Sequence, residues 1–531
     1  MRRFLALAAL AAPAAFAFNS EEHKLLGDQG SAAVAVCQGG ARGRCRPERV
    51  MKGNVPLLRT YDVARPGNVA LVVHAQQAKF KKEALSRQPA YRKANQKGQE
   101  HYVKEIYVPP QDGKMHKPLL VWVGNAASSA GGDWFSFGDL VAIYGDYRRA
   151  VTCDANRMSC LLSDSINART PAAHRHLRNY ARGEVAPFGS ASNVTADSAP
   201  HGNDSMAGWW GDEMLRIANT NDWHFAGSAI RWYVGSHRQA LWFARLAAEK
   251  NDPAFLWHAV HYDANGLHSL TDLFAPGHVI TDRERSVAGM HKNNGSSSHP
   301  ISVWNQGVDR LGKAGAIPAP LAAPSRSDIK GTRGTWALWA RWEESAHTQF
   351  NQNGAIVKNE RGEEFIAFGD GRLYARKDPT SADQTAMNPP KLAEVAGRSV
   401  KSSLECVFSA YWRMLAAAGK LSGPARTAKV DAEMRKIAAE PSYYEALRDV
   451  PVEVKEACYR PAGDQCFGVG RWMSARYRNA LRAILGQPAA AGPVLPLIDG
   501  KKYVRDYGFD KGKGQAQATA VGVPAREPDK I

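Results

Sequence analysis

Apolar and aromatic residues recur at spacings of three and four from Trp134 to Arg148 and from Trp209 through Lys250, with Leu241, Ala244 and Ala248 sharing a face. That period predicts buried amphipathic helices. The pattern continues from Phe255 to Asp272 and is cut at Phe274-Ala275-Pro276-Gly277, where proline and glycine end a helix. It returns from Lys391 to Ala418 and from Glu433 to Leu447. Alternation around Gly362 and Gly369-Asp370-Gly371 predicts a small hairpin between Asn353 and Tyr374. Lys81 to Lys104 is polar and fits an exposed helix or a mobile insertion. Between Gly312 and Gly334 the proline density excludes a helix and marks a linker or insertion. After Gly486 the chain turns Pro/Ala-rich and then polar to Ile531, a loosely held tail. The expected fold class is therefore mostly α, with a small β-hairpin.

Composition adds a compartment. Met1-Arg2-Arg3 is followed by an apolar run from Phe4 to Ala14 and by Ala15-Phe16-Ala17, the layout of a cleavable signal peptide over residues 1–17. The run is shorter than the roughly 20 residues of a membrane helix, and no later stretch approaches that length. The expectation is a soluble, secreted or periplasmic protein with no transmembrane segment. The full 531 residues exceed one ordinary domain of roughly 100–200 residues, so two domains or one enlarged domain would fit. A net charge of +18 favours anionic partners, and phospholipid membranes and nucleic acids both qualify. The seven cysteines contain no CxxC, and in an oxidising setting their close pairs suggest the disulfides Cys37–Cys45, Cys153–Cys160 and Cys458–Cys466, leaving Cys406 over.

The strongest local signal is His268-Ser-Leu-Thr-Asp272, followed after the Pro-Gly break by His278. Helical residues four apart point the same way, so His268 and Asp272 can reach one ion. Imidazole nitrogen and carboxylate oxygen are ligand types that zinc accepts at roughly 2.0–2.2 Å. A second clue is Phe18-Asn-Ser-Glu-Glu-His23 at the expected mature start, where cleavage after Ala17 would free the Phe18 amine beside His23.

On these residues the chain resembles the zinc-dependent phospholipase C and P1/S1 nuclease family, whose mature chains begin with an aromatic residue that ligates zinc through its backbone. The family's His-x3-Asp-x5-His pattern matches His268, Asp272 and His278 without a gap. Thr220-Asn-Asp-Trp-His224-Phe225 is similar to the family's approach to another histidine ligand, and His347-Thr-Gln-Phe-Asn351 to its later His-x3-carboxylate pair, with Asn351 where a carboxylate is expected. His291 and His299 are reserves. An upstream aspartate completes the set, and Asp146 in Tyr144-Gly-Asp146-Tyr147 competes with Asp212 in Trp210-Gly-Asp212.

The resemblance implies a mostly helical phospholipase C/P1 nuclease-like core over residues 18–375, with residues 376–485 as a helical C-terminal region and 486–531 as the tail. It implies three Zn2+ ions: one on Asp146 or Asp212 with His224, His268 and Asp272; one on the Phe18 backbone, His23 and Asp272; and one on His278 and His347. His237, His258 and His261 receive no role. Clustered zinc lowers the pKa of bound water towards about 7 and neutralises phosphoryl oxygens. Asp146 or Asp212 would serve as general base. The expected activity is hydrolysis of phosphodiesters, phospholipid headgroup esters as in phospholipase C, or alternatively single-stranded nucleic acid. A binding protein with structural zinc is the reading from another class. No GxSxG elbow or P-loop is present in the sequence.

Overall fold

The computed structural model describes residues 20–37, 43–60, 118–123, 133–146, 152–154, 159–161, 224–280, 347, 350–351, 354–369, 390–459, 467–468 and 481. Among them run the α-helices α1 (Ser20–Ala33), α2 (Phe137–Asp146), α3 (Ala226–Lys250), α4 (Phe255–Asp272), α5 (Pro276–Ile280), α6 (Pro390–Ala418) and α7 (Gly423–Ala438). The described part is mostly helical, as the hydrophobic period predicts.

α4 is the axis of the core. Every residue from Leu256 to Asp272 is buried, including three histidines and two aspartates. A helix buried all round is normally apolar all round. Each polar side chain on α4 therefore needs a partner inside the protein.

The neighbouring helices approach closely because glycines stand at the crossings. A Cβ on Gly27 of α1 would lie 2.6 Å from the Cα of Gly138 in α2, and one on Gly138 would lie 2.0 Å from the Lys24 carbonyl oxygen. At the other side of α1 a Cβ on Gly30 would meet the Val400 side chain of α6 at 2.4 Å. On α4, a Cβ at Gly266 would come within 2.8 Å of Ser236 in α3. Close contact of this kind fixes helix positions, since a packed core yields little to added volume.

Polar contacts lock α1 to the start of α2. Ser136 and Asp139 form a reciprocal cap, with the Ser136 N–H donating to Asp139 Oδ2 at 2.9 Å and the Asp139 N–H to Ser136 Oγ at 3.1 Å. The buried Lys24 ammonium reaches Asp28 at 2.6 Å, Ser136 at 2.8 Å and Asp139 at 3.0 Å.

Strands β1 (Arg49–Lys52), β2 (Val55–Thr60), β3 (Leu119–Val123) and β4 (Asp133–Ser136) form an antiparallel sheet in sequence order. β4 corrects the helix expected from Trp134: its residues pair with β3, Trp134 opposite Trp122 and Phe135 opposite Val121. Phe135 is buried while the half-buried Trp134 packs edge-on against Trp122, an arrangement only a period of two supplies. A short hairpin of β5 (Thr152–Asp154) and β6 (Ser159–Leu161) sets Cys153 opposite Cys160 in register.

The expected hairpin forms as β7 (Ala355–Asn359) and β8 (Glu364–Ala367), turning through Gly362 at φ +81°. It belongs to a larger antiparallel sheet of order β10-β9-β7-β8, completed by β9 (Pro451–Tyr459) and β10 (Phe467–Gly468). Arg398 of α6 clamps this sheet by reaching both Glu363 and Asp449.

The helix expected over Glu433–Leu447 is also corrected. α7 ends at Ala438 and a separate 3-10 helix spans Pro441–Arg448. Pro441 has no N–H and pushes Glu440 into an extended conformation (φ −83°, ψ 143°), so one helix cannot run through.

Residues of α6 and α7 share one buried apolar cluster with α1 to α4. Cys37 and Cys45 are disulfide-bonded and Cys406 is free. Among the described residues no helix is long and apolar enough to cross a membrane. The expectations for residues 1–17, for Lys81 to Lys104, for 312–334, for Cys466 and for the tail after Gly486 lie outside the described residues.

Candidate metal centre

Five buried side chains from three helices and the turn ahead of α3 meet at the C-terminal end of α4. His268 and Asp272 stand one turn apart, with Nε2 3.6 Å from Oδ2, and both are fully buried. α1 brings His23, whose Nε2 lies 3.3 Å from Asp272 Oδ1 and whose ring stacks on His268 at 3.9 Å between centroids. His224 enters from the turn ahead of α3, its Nδ1 2.6 Å from Asp272 Oδ2. The chain enters α3 through Ala226 at φ +44°, a left-handed conformation uncommon for a residue with a Cβ.

The Pro-Gly break does end α4, but Pro276 also opens α5, where its missing N–H costs nothing. That short helix carries His278 back over the carboxylate, with Nδ1 3.6 Å from Asp272 Oδ1.

Proton positions in this cluster follow from the surrounding partners. Thr271 Oγ1 lies 2.8 Å from both the Leu267 and the His268 carbonyl oxygens, so its one proton is committed to the backbone. The hydroxyl oxygen therefore accepts from His23 Nδ1 at 2.8 Å. His268 Nδ1 donates to the Val141 carbonyl of α2 at 2.7 Å, and His278 Nδ1 to the His224 carbonyl at 2.7 Å. A neutral imidazole with its proton on Nδ1 presents a lone pair at Nε2. The lone pairs of His23 and His268 thus face an anionic carboxylate.

Acceptors facing acceptors in a buried site repel unless a cation lies between them. Neither oxygen of Asp272, nor Nε2 of His278, has a well-formed hydrogen bond among the described residues. Protons do not fill the gap. Burial, reinforced by His268, lowers His23 to about 3. Burial also holds His268 and His278 well below the ordinary 6.5. Burial raises Asp272 to about 6, with His23 acting in the opposite sense, so at neutral pH the carboxylate is mainly ionised beside the neutral rings of His23, His268 and His278.

The residues fit a divalent cation. His23, His268 and Asp272 form one group, and His224, Asp272 and His278 another, with ligand atoms within 4.8 Å of one another in each. Asp272 belongs to both, so its two oxygens can bridge two ions. This grouping differs from the one the resemblance implies, which joins His224 to His268 and His278 to His347.

His347 lies beside the second group, its ring 4.6 Å from that of His278. Asn351, four residues on, accepts from the Gly277 N–H at 2.7 Å through Oδ1 and places Nδ2 3.2 Å from His347 Nε2. Phe225 stacks on His278 at 4.0 Å and covers this side of the cluster.

Asp146 closes α2, but its side chain lies outside the described residues, as do Phe18, Asp212, His291 and His299. The remaining histidines of α3 and α4 sit in the core: His237 pairs with Asp263 at 2.8 Å, His258 stacks on Phe243, and His261 meets the Tyr144 hydroxyl. The sequence reading passes over Thr271 and Val141, which orient His23 and His268. Thr271 leaves a faint signal, a hydroxyl beside Asp272 on a wholly buried helix face; a backbone carbonyl such as that of Val141 leaves none. No family model, curated protein or solved structure matches the chain, so the centre is read from its own geometry.

Proposed function

We propose that this protein is an exported zinc-dependent phosphodiester hydrolase, acting on phospholipid headgroup esters in the manner of phospholipase C. The observation that carries the reading is the convergence of Nε2 lone pairs from His23 and His268 on the ionised Asp272, inside a buried site. Mixed imidazole and carboxylate donors without cysteine suit catalytic more than structural zinc. The Cys37–Cys45 disulfide fits an oxidising compartment, and a net charge of +18 favours an anionic surface or substrate.

Zinc, when bound, supplies Lewis acidity to a phosphoryl oxygen and acidifies bound water towards about pH 7. The protein does the rest by positioning. Asp272 would be a ligand shared by the two groups, while Thr271 and the Val141 carbonyl hold the ring protons of His23 and His268 on Nδ1, leaving each Nε2 able to act as a ligand. Phe225 and His278 stack on each other as buried rings at the flank of the centre. The base that takes a proton from attacking water is assigned to Asp146 or Asp212.

The test is hydrolysis by the mature, zinc-supplemented protein of phosphatidylcholine vesicles and of single-stranded DNA, assayed side by side. Phosphocholine release that chelation abolishes is expected. Cleavage of DNA alone moves the assignment to the nuclease alternative. Cleavage of neither by a zinc-loaded protein overturns the reading, and chelation that melts the fold instead supports the structural-zinc alternative.

A further inference from the structure

The resemblance gives His278 and His347 an ion of their own, and the residues between them do not fit it. The Gly277 N–H fixes which end of the Asn351 amide is oxygen, because a backbone N–H only donates. The other end is then NH2, and it faces His347 Nε2 at 3.2 Å. An amide N–H also only donates, so Nε2 of His347 must accept and the ring proton sits on Nδ1. The lone pair a metal would need at Nε2 is thereby occupied. A carboxylate at this position would reverse the situation, since it cannot donate to the ring.

The arrangement is built tightly. A Cβ at Gly277 would lie 2.6 Å from the His347 carbonyl oxygen, 2.7 Å from Asn351 Oδ1 and 2.9 Å from His347 Cδ2, so the start of α5 rests directly on the pair. Whatever holds Asn351 and His347 in place therefore also places His278, whose ring lies 4.0 Å from that of Phe225.

We propose that the centre of this chain holds two ions, in the groups His23/His268/Asp272 and His224/Asp272/His278, and that Asn351 is a positioning residue that keeps His347 out of the ligand set. The inference rests on the proposed metal-dependent function and deepens it. His347 acts as a buttress to the His278 ring. The amide at Asn351 is the feature that sets the count.

The direct test is metal analysis of the full-length protein after zinc loading and desalting, by elemental mass spectrometry. Two zinc ions per chain are expected. Three overturns the two-ion proposal and leaves the hydrolase reading standing; one overturns the bridged pair; none overturns the hydrolase reading itself. The Asn351→Asp variant keeps the acceptor for Gly277 and removes the amide donor. It is expected to bind a third ion, and a folded variant that stays at two overturns the role given to Asn351. Should that variant fail to fold, the wild-type protein decides through nitrogen-15 NMR of the His347 ring. A lone-pair-type shift at Nε2 with zinc present, unaltered by loading, is expected; a metal-shifted or protonated Nε2 overturns the proposal.

Discussion

Two His–Asp clusters lie on the same buried helix, two and a half turns apart, and they differ in what their protons do. At Asp263 donors meet acceptors: His237 Nδ1 lies 2.8 Å from Oδ1, and the Ser403 hydroxyl of α6 donates to the same oxygen at 2.8 Å. Burial opposes a charge on His237, yet the hydrogen bond to Asp263 pushes its pKa from 6.5 up to about 10. The Nδ1 proton and the Oδ1 oxygen face each other as an ion pair, with His237 Nε2 and Asp263 Oδ2 left outside that hydrogen bond. At Asp272 lone pairs meet a carboxylate, because Thr271 and Val141 have claimed the protons on the far side of the rings. Burial of histidine and aspartate is common to both; the direction of the ring protons makes only one of them a place for a cation.

The largest expected effect comes from exchanging the two aspartates' fates. Asp272→Ala should cut phosphodiester hydrolysis by about a thousandfold or more, the loss of several kcal/mol of transition-state stabilisation, and lower bound zinc. Asp263→Ala should leave the zinc count unchanged while costing about 3–5 kcal/mol of stability, since it strands a buried partner. Elemental analysis and thermal unfolding of both variants separate them; a zinc-depleted but fully stable Asp263→Ala would erase the distinction.

Thr271→Val comes next. It keeps the volume and removes the oxygen that accepts from His23, and zinc should bind about 10–100-fold more weakly in chelator competition. Unchanged affinity would show that the tautomer of His23 does not matter.

Gly266→Ala tests whether helix spacing serves both clusters. A methyl group 2.8 Å from Ser236 should cost about 1–3 kcal/mol in denaturant unfolding, with zinc affinity reduced less than by Thr271→Val. An unperturbed midpoint would mean α3 and α4 can separate freely.

The gentlest effect is graded with pH. His237 is raised in the folded state, so its pairing contributes fully below pH 6.5 and is lost as pH rises towards about 10. It faces Asp263, Ser403, Cys406 and Tyr443, with Tyr233 stacked against it. The unfolding midpoint of the metal-free protein should therefore decline from pH 7 to pH 9, and His237→Gln should flatten that slope. An equal slope in the variant would assign the decline to other groups.

Helices α3, α4 and α6 were legible because their apolar residues repeat every three or four positions, whereas α1 and α5, which carry His23 and His278, were not read as helices from the sequence. β4 was hidden because four residues cannot display a period, and its pairing with β3 is decided by Trp122 and Val121 rather than by its own sequence. β9 was missed for a related reason: its partner β7 lies far away along the chain. Within the site, His268 and Asp272 announce themselves by spacing. Thr271 and Val141 do not, because the setting of a tautomer is a property of three-dimensional neighbours. Asn351 was visible as a departure from an expected pattern, but its effect on His347 depends on Gly277, which the linear sequence places in a different segment.

The contact of Gly27 with Gly138 leaves no side chain between the backbones of α1 and α2 to absorb movement. His23 rides on one of those backbones, and the carbonyl that orients His268 belongs to the other. The distance between two helices is thereby geared to the distance between two imidazole nitrogens. A cation held there would report on the seating of the whole helical layer, and would be released at the first loosening of that layer, ahead of general unfolding.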